Sequence, residues 1–193
     1  MDELFSAGAL VELVRRYYPR GLYGDDPQYR ESKEYQRLRD LHRKIQEDDA
    51  TWQRFLQRVR EQIPECTVYD MPGLPYDPSR RVRVYLPDSP LPTGEHKAVV
   101  AITSILAPVH ILHASHEKVD LDEELATSQT WFPPFPPEFQ PYEAKLDALV
   151  RDSFGSVRLP NDVLFTPVQD LQIGNYALGE GTLIHYLFTD NIW

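Results

Sequence analysis

His110, His113 and His116 fall at three-residue steps, and closely spaced imidazoles are the ligands from which zinc and copper centres are built. A metal ion needs its ligands on one side of the backbone. On a strand, where side chains alternate, His113 faces away from the other two. On a helix, steps of three drift around the axis, and Pro108 disfavours a helix beginning there. Glu117 and Asp120 complete a ligand set only by folding back. The spacing predicts no metal centre.

Nucleophiles give an equally short account. Cys66, the single cysteine, lies just past a helix end in Pro64-Glu65-Cys66-Thr67-Val68. A reactive thiolate wants a helix N-terminus or a cation, and Glu65 is neither, so Cys66 reads as a small buried hydrophobe. No Gly-x-Ser-x-Gly turn occurs, and Phe154-Gly155-Ser156 reads as a helix end. Phosphate loops of the Gly-x-x-x-x-Gly-Lys or Gly-x-Gly-x-x-Gly kind are absent too. Gly179-Glu180-Gly181-Thr182 puts an acid where a phosphate would sit and reads as a hairpin turn. The expectation is no catalytic residue, no cofactor and no metal. An enzyme assembled only in the fold would be marked by a deep pocket gathering His110 or His113 with acids.

The acids and rings of residues 117–139 point to binding. Glu117, Asp120, Asp122, Glu123 and Glu124 form a cluster that runs into Trp131-Phe132-Pro133-Pro134-Phe135-Pro136-Pro137-Glu138-Phe139. Charge runs usually form a solvated face, but they also dock Lys and Arg side chains. Trp131, Phe132, Phe135 and Phe139 are costly to expose, so they either cover a core edge or anchor a partner. The prolines satisfy P-x-x-P, yet Glu138 stands where such ligands carry a basic flank. The candidate partner-binding set is Asp122, Glu123 and Glu124 for steering, with Trp131, Phe132 and Phe135 as anchors.

These residues need elements to place them. Leu10, Leu13, Val14 and Tyr17 recur at helical steps within Asp2–Tyr18, and Pro19 stops that helix. A second helix is expected from Pro27 to Glu47, with Tyr35, Leu38, Leu41 and Ile45 as its stripe. A third follows Asp48-Asp49, whose oxygens would cap it, and buries Trp52, Phe55, Leu56, Val59 and Ile63. After Pro64 the period becomes two. Strands are expected at Thr67–Tyr69, Arg81–Leu86 with Val82, Val84 and Leu86 inward, Lys97–Leu106 in the sheet centre, and Val109–His113. Residues 117–141 break the regular pattern. Tyr142–Phe154 reads as a last helix with Gly155 as its C-cap, and Val163–Phe165 and Leu183–Phe188 read as strands. The whole is one α+β domain over residues 1–193: helices in 1–63, then an acidic, mainly antiparallel sheet with one later helix in 64–193.

Charge separates along the same boundary. Residues 1–63 hold 12 basic and 12 acidic side chains; residues 64–193 hold the remaining 8 and 18, the whole deficit of the net −10. That sign repels nucleic-acid phosphate and attracts a basic partner. No apolar run approaches the roughly 20 residues of a membrane span. Met1-Asp2-Glu3 places acids where a signal or transit peptide needs bases, and one cysteine allows no internal disulfide, so a cytoplasmic protein is expected.

Tyr18-Pro19-Arg20-Gly21, Arg83-Val84-Tyr85-Leu86-Pro87, Pro133-Pro134-Phe135-Pro136-Pro137-Glu138-Phe139 and Leu187-Phe188-Thr189-Asp190 together resemble an uncharacterised paralogous family of myxobacterial proteins. Such sets of small acidic proteins resemble the immunity proteins of toxin–immunity pairs. The resemblance implies a non-catalytic inhibitor that occludes one cognate toxin or effector, with no catalytic residues to carry over. A structural subunit, homo-oligomeric through the aromatic segment, is the alternative without a toxin.

Overall fold

The computed structural model describes residues 5–47, 49–71, 77–87, 89, 94–120 and 125–189. Its centre is β3 (Gly94–Ser104) paired antiparallel with β4 (Val109–Asp120). Val99, Val100, Ala101 and Ile102 are all buried, as the unbroken apolar run requires of a strand covered on both faces. β2 (Ser79–Tyr85) and β1 (Thr67–Met71) extend the sheet on one side, and β5 (Leu125–Trp131) closes the other. The two-residue β6 (Val157–Arg158) runs parallel to the start of β4.

Alternation assigns each face its own cover. Val82, Val84, Val99, Ala101, Leu112 and Ala114 meet α4 (Ala50–Gln62) and α5 (Gln140–Phe154). Val100, Ile102, Val109 and Ile111 meet α1 (Ala7–Val14), Leu38 of α3 (Lys33–Glu47), α6 (Asn161–Leu164) and α7 (Leu183–Leu187). The first 63 residues are therefore not one helical lump; α1 and α4 lie on opposite faces. Polar ties lock both covers. Arg15 and Arg20 both reach Asp170, at 2.9 and 3.3 Å. The Tyr18 hydroxyl donates to the Tyr186 carbonyl, and the Trp52 indole donates to Asp70 at 3.0 Å.

Several elements depart from expectation. The helix read from Pro27 to Glu47 is two helices, α2 (Pro27–Glu31) and α3, broken at Ser32 in extended conformation. The Ser32 hydroxyl donates to the Tyr29 carbonyl and accepts from the Tyr35 N–H, capping the second helix from inside the run. Asp49 precedes α4 but caps nothing with its side chain; it pairs instead with Arg80 at 2.5 Å. Asp48 lies outside the described residues. β4 continues seven residues past His113 and pairs antiparallel with β5, so residues 117–120 and 125–131 are regular strands.

The two tail segments read as strands are helices. Leu183, Ile184, Tyr186 and Leu187 are all buried, so no period distinguishes helix from strand. Thr182 and His185 decide the matter with a reciprocal cap: the His185 Nδ1 accepts from the Thr182 N–H at 3.0 Å. No helix among the described residues is long and apolar enough to cross a membrane.

Gly155 ends α5 at φ 60°, and a Cβ there would meet nothing within 4 Å. Gly179 has φ 85°, but its Cβ would stand 2.7 Å from the Gln169 carbonyl oxygen. Gly155→Ala should therefore cost about 1 kcal/mol, the left-handed backbone alone. Gly179→Ala should cost clearly more, because a backbone carbonyl must also move. Urea unfolding of both variants checks this; equal losses would contradict the geometry.

Candidate functional site

Alternation on β4 turns His110 toward α5, where it is completely buried. Its Nε2 lies 2.9 Å from Asp147 Oδ1 and its Nδ1 lies 2.9 Å from Ser156 Oγ. Three local features bring these residues together. Asp147 projects from the third turn of α5. The left-handed Gly155 turns the chain off that helix. The Val157 N–H then donates to the Pro108 carbonyl, and the Leu159 N–H to that of His110, fixing Ser156 beside the imidazole.

The proton arrangement follows from the acid. Burial raises the Asp147 carboxyl, but the His110 hydrogen bond and the charges of Arg151 and Arg158 outweigh it and hold the group below its ordinary range. Arg151 Nε stands 3.1 Å away and Arg158 Nη1 3.9 Å. An ionised carboxylate only accepts, so in the neutral ring Nε2 carries the hydrogen. Nδ1 is then left with a lone pair toward the Ser156 hydroxyl. Ser156 also lines a cavity of about 410 Å³ walled by Ile45, Trp52, Leu106 and Phe154. This cavity lies at the β3–β4 turn.

The opposite face carries a second polar group. Arg81 and Arg83 of β2, His96 of β3, and His113, Ser115 and Glu117 of β4 alternate onto it. Arg83 pairs with Glu117 at 2.9 Å and Arg81 with Asp77. Buried and without hydrogen-bond partners are His113 Nδ1, His96 Nε2, Ser115 Oγ and the Nε atoms of both arginines. Burial first, then the charges of Arg83 and Arg81, pushes His113 down to about 3. His113 is thus a neutral ring facing away from His110. His116 shares the His110 side and lies 3.4 Å from Glu95. Among the described residues no group of three His, Cys, Asp or Glu side chains could hold a metal ion. Cys66 is half-buried, and burial together with Glu65 raises its thiol to about 11.

Of the expected binding residues, the structure describes the three rings. Asp122, Glu123 and Glu124 lie outside the described residues; they connect Asp120 to Leu125, which pair across the hairpin. β5 then carries the chain about 20 Å, at the usual strand rise, before Trp131 is reached. Trp131 packs against the α4–α5 core and Phe132 against the α1–α7 core, so the two rings straddle the sheet edge. Phe135 is buried at 4% exposure, with the Arg158 guanidinium over its ring, and Phe139 is fully buried. The proline-aromatic segment thus covers a core edge, tied down by Asn161 to the Pro133 carbonyl and Gln140 to that of Phe135. Sequence reading missed Phe165, 42% exposed and edge-on to Phe132 at 5.4 Å. Treating Val163–Phe165 as a strand hid it.

No family model matches this chain, and no curated protein or solved structure matches it either.

His113 gives an acid signature. Its folded value near 3 lies below the ordinary imidazole value near 6.5, so the unfolded chain binds the extra proton between those limits. The contribution to stability is full above pH 6.5 and is lost as pH falls toward 3, by about 5 kcal/mol. His113→Leu should flatten that part of the stability–pH curve. An identical slope in the variant, by urea unfolding across pH 4–7, would assign the acid sensitivity elsewhere.

Proposed function

We propose that this chain works by clasping a basic protein partner, in the manner of a cytoplasmic immunity protein that occludes its toxin or effector. The β4–β5 hairpin is the contact. The observation that carries the reading is the outer side of β5. Among the described residues no strand pairs with it, and Thr127, Ser128 and Gln129 are exposed. Edge strands are ordinarily blunted by charge, proline or a bulge. The β5 sequence Leu-Ala-Thr-Ser-Gln-Thr-Trp contains no charged residue and no proline. An edge of that kind accepts a strand from another chain through main-chain hydrogen bonds.

Charge and position support the same reading. The acids Asp120, Asp122, Glu123 and Glu124 sit in sequence directly before this strand, and residues 64–193 carry the chain's whole negative excess. A basic partner would be drawn to that end, and the electrostatic term acts on encounter more than on final affinity. Beside the edge, His116, Lys118, Thr127, Ser128 and Gln129 line a surface depression. At the base of the strand, Phe132 and Phe165 offer ring surface, whereas Phe135 serves the core.

The test needs the partner that co-purifies from the native host. Replacing Asp122, Glu123 and Glu124 together by Lys should slow association roughly ten-fold at low salt and flatten its salt dependence. Ser128→Pro should weaken binding with the core intact. An unchanged on-rate in the first variant removes the acids from the contact. Unchanged affinity in the second removes the edge.

A further inference from the structure

We infer that Ser156 is a nucleophile, with His110 as its base and Asp147 orienting the ring, and that the adjoining cavity takes the acyl part of a small ester. This goes beyond partner binding and does not depend on it. The cavity opens at the β3–β4 turn, while the hairpin lies at the other end of those strands. From Thr103 to Gly94 is nine residues, about 30 Å. The expectation of no catalytic serine rested on linear motifs. Here the parts come from β4, the middle of α5 and the residue after Gly155, and only the fold unites them.

The chemistry has its required geometry. A serine hydroxyl becomes a nucleophile when a base stands within hydrogen-bond reach and a third group fixes that base. Both contacts are 2.9 Å. Asp147 is largely buried and kept ionised by named neighbours, so it stabilises a positive imidazole as the proton arrives. The ring is used in the opposite sense to the familiar serine hydrolases, with Nδ1 rather than Nε2 toward the serine. Role and geometry define such a trio, and either nitrogen relays a proton when the other is held. Among the described residues the backbone N–H of Ser156 donates to no hydrogen bond, and a nucleophile's own N–H is a common donor to a developing oxyanion. Ile45, Trp52, Leu106 and Phe154 give the cavity apolar walls, which suit a short acyl chain.

The reaction balances with ester and water alone. Ser156 Oγ bonds to the ester carbonyl carbon as its proton passes to His110 Nδ1. Collapse breaks the acyl C–O bond, and the departing alcohol takes that proton. Water then attacks the acyl-serine, giving one proton to His110, which returns it to Ser156 Oγ as the carboxylic acid leaves.

The test uses the full chain, a fluorophosphonate probe and p-nitrophenyl butyrate. The unmodified protein should take up one probe per chain, and peptide mass spectrometry should place it on Ser156. It should also hydrolyse the ester. Ser156→Ala should lose the label and at least 100-fold of turnover while keeping its circular dichroism. Asp147→Asn should lower turnover with the label site unchanged. A folded, unmodified chain that takes no probe, or takes it at another residue, overturns the inference and leaves the trio as a packing clamp. That readout does not depend on any variant folding.

Discussion

The central pair of strands is apolar on both faces, and this constraint organises the molecule. Val99 and Ala101 point one way, Val100 and Ile102 the other, and none tolerates water. Two separate covers must therefore be found, and the chain draws each from both of its ends. α4 joins α5 on one face; α1 joins α6 and α7 on the other. The aromatic-proline segment follows from the same need. It crosses the sheet edge where β5 has ended and only two residues of β6 stand, placing Trp131 in one core and Phe132 in the other.

The constraint also explains where polar chemistry collects. Inside the covered part of the sheet, any polar side chain must find a partner or remain unsatisfied at a cost. His110 finds two, and becomes part of a charge-oriented trio beside a cavity. His113, three residues on, faces the other side and finds none for its Nδ1; burial and the charges of Arg83 and Arg81 hold it neutral. Beyond the helical covers the requirement lapses. There β4 and β5 run on with exposed polar side chains, and among the described residues the outer side of β5 is left without a strand.

Much of the frame was legible because periodicity survived. Trp52, Phe55, Leu56, Val59 and Ile63 marked α4; Val82 and Val84 marked β2; Gly155 marked the end of α5. What failed did so for physical reasons. Every residue of Leu183–Leu187 except His185 is buried, so its apolar run carries no period. Thr127-Ser128-Gln129-Thr130 lies past the covers, so its alternation has no apolar side to reveal it. The break at Ser32 depends on one hydroxyl within an otherwise helical stretch. Of the binding residues, the acids and rings were adjacent in sequence, yet a strand intervenes between them. The Ser156–His110–Asp147 trio leaves only a hint in the sequence, the possibility of His110 meeting an acid in the fold; its serine reads there as part of a helix end.

The molecule combines a double-covered body with a polar sheet edge, and in the proposed function a partner adds to that edge. Hydrogen exchange of the backbone amides, compared with and without the co-purified partner, tests this most directly. New protection should concentrate in residues 125–131, with residues 98–102 and 109–114 already slow in the free chain. Protection that appears around α1 and α7 while β5 exchanges as before would contradict it.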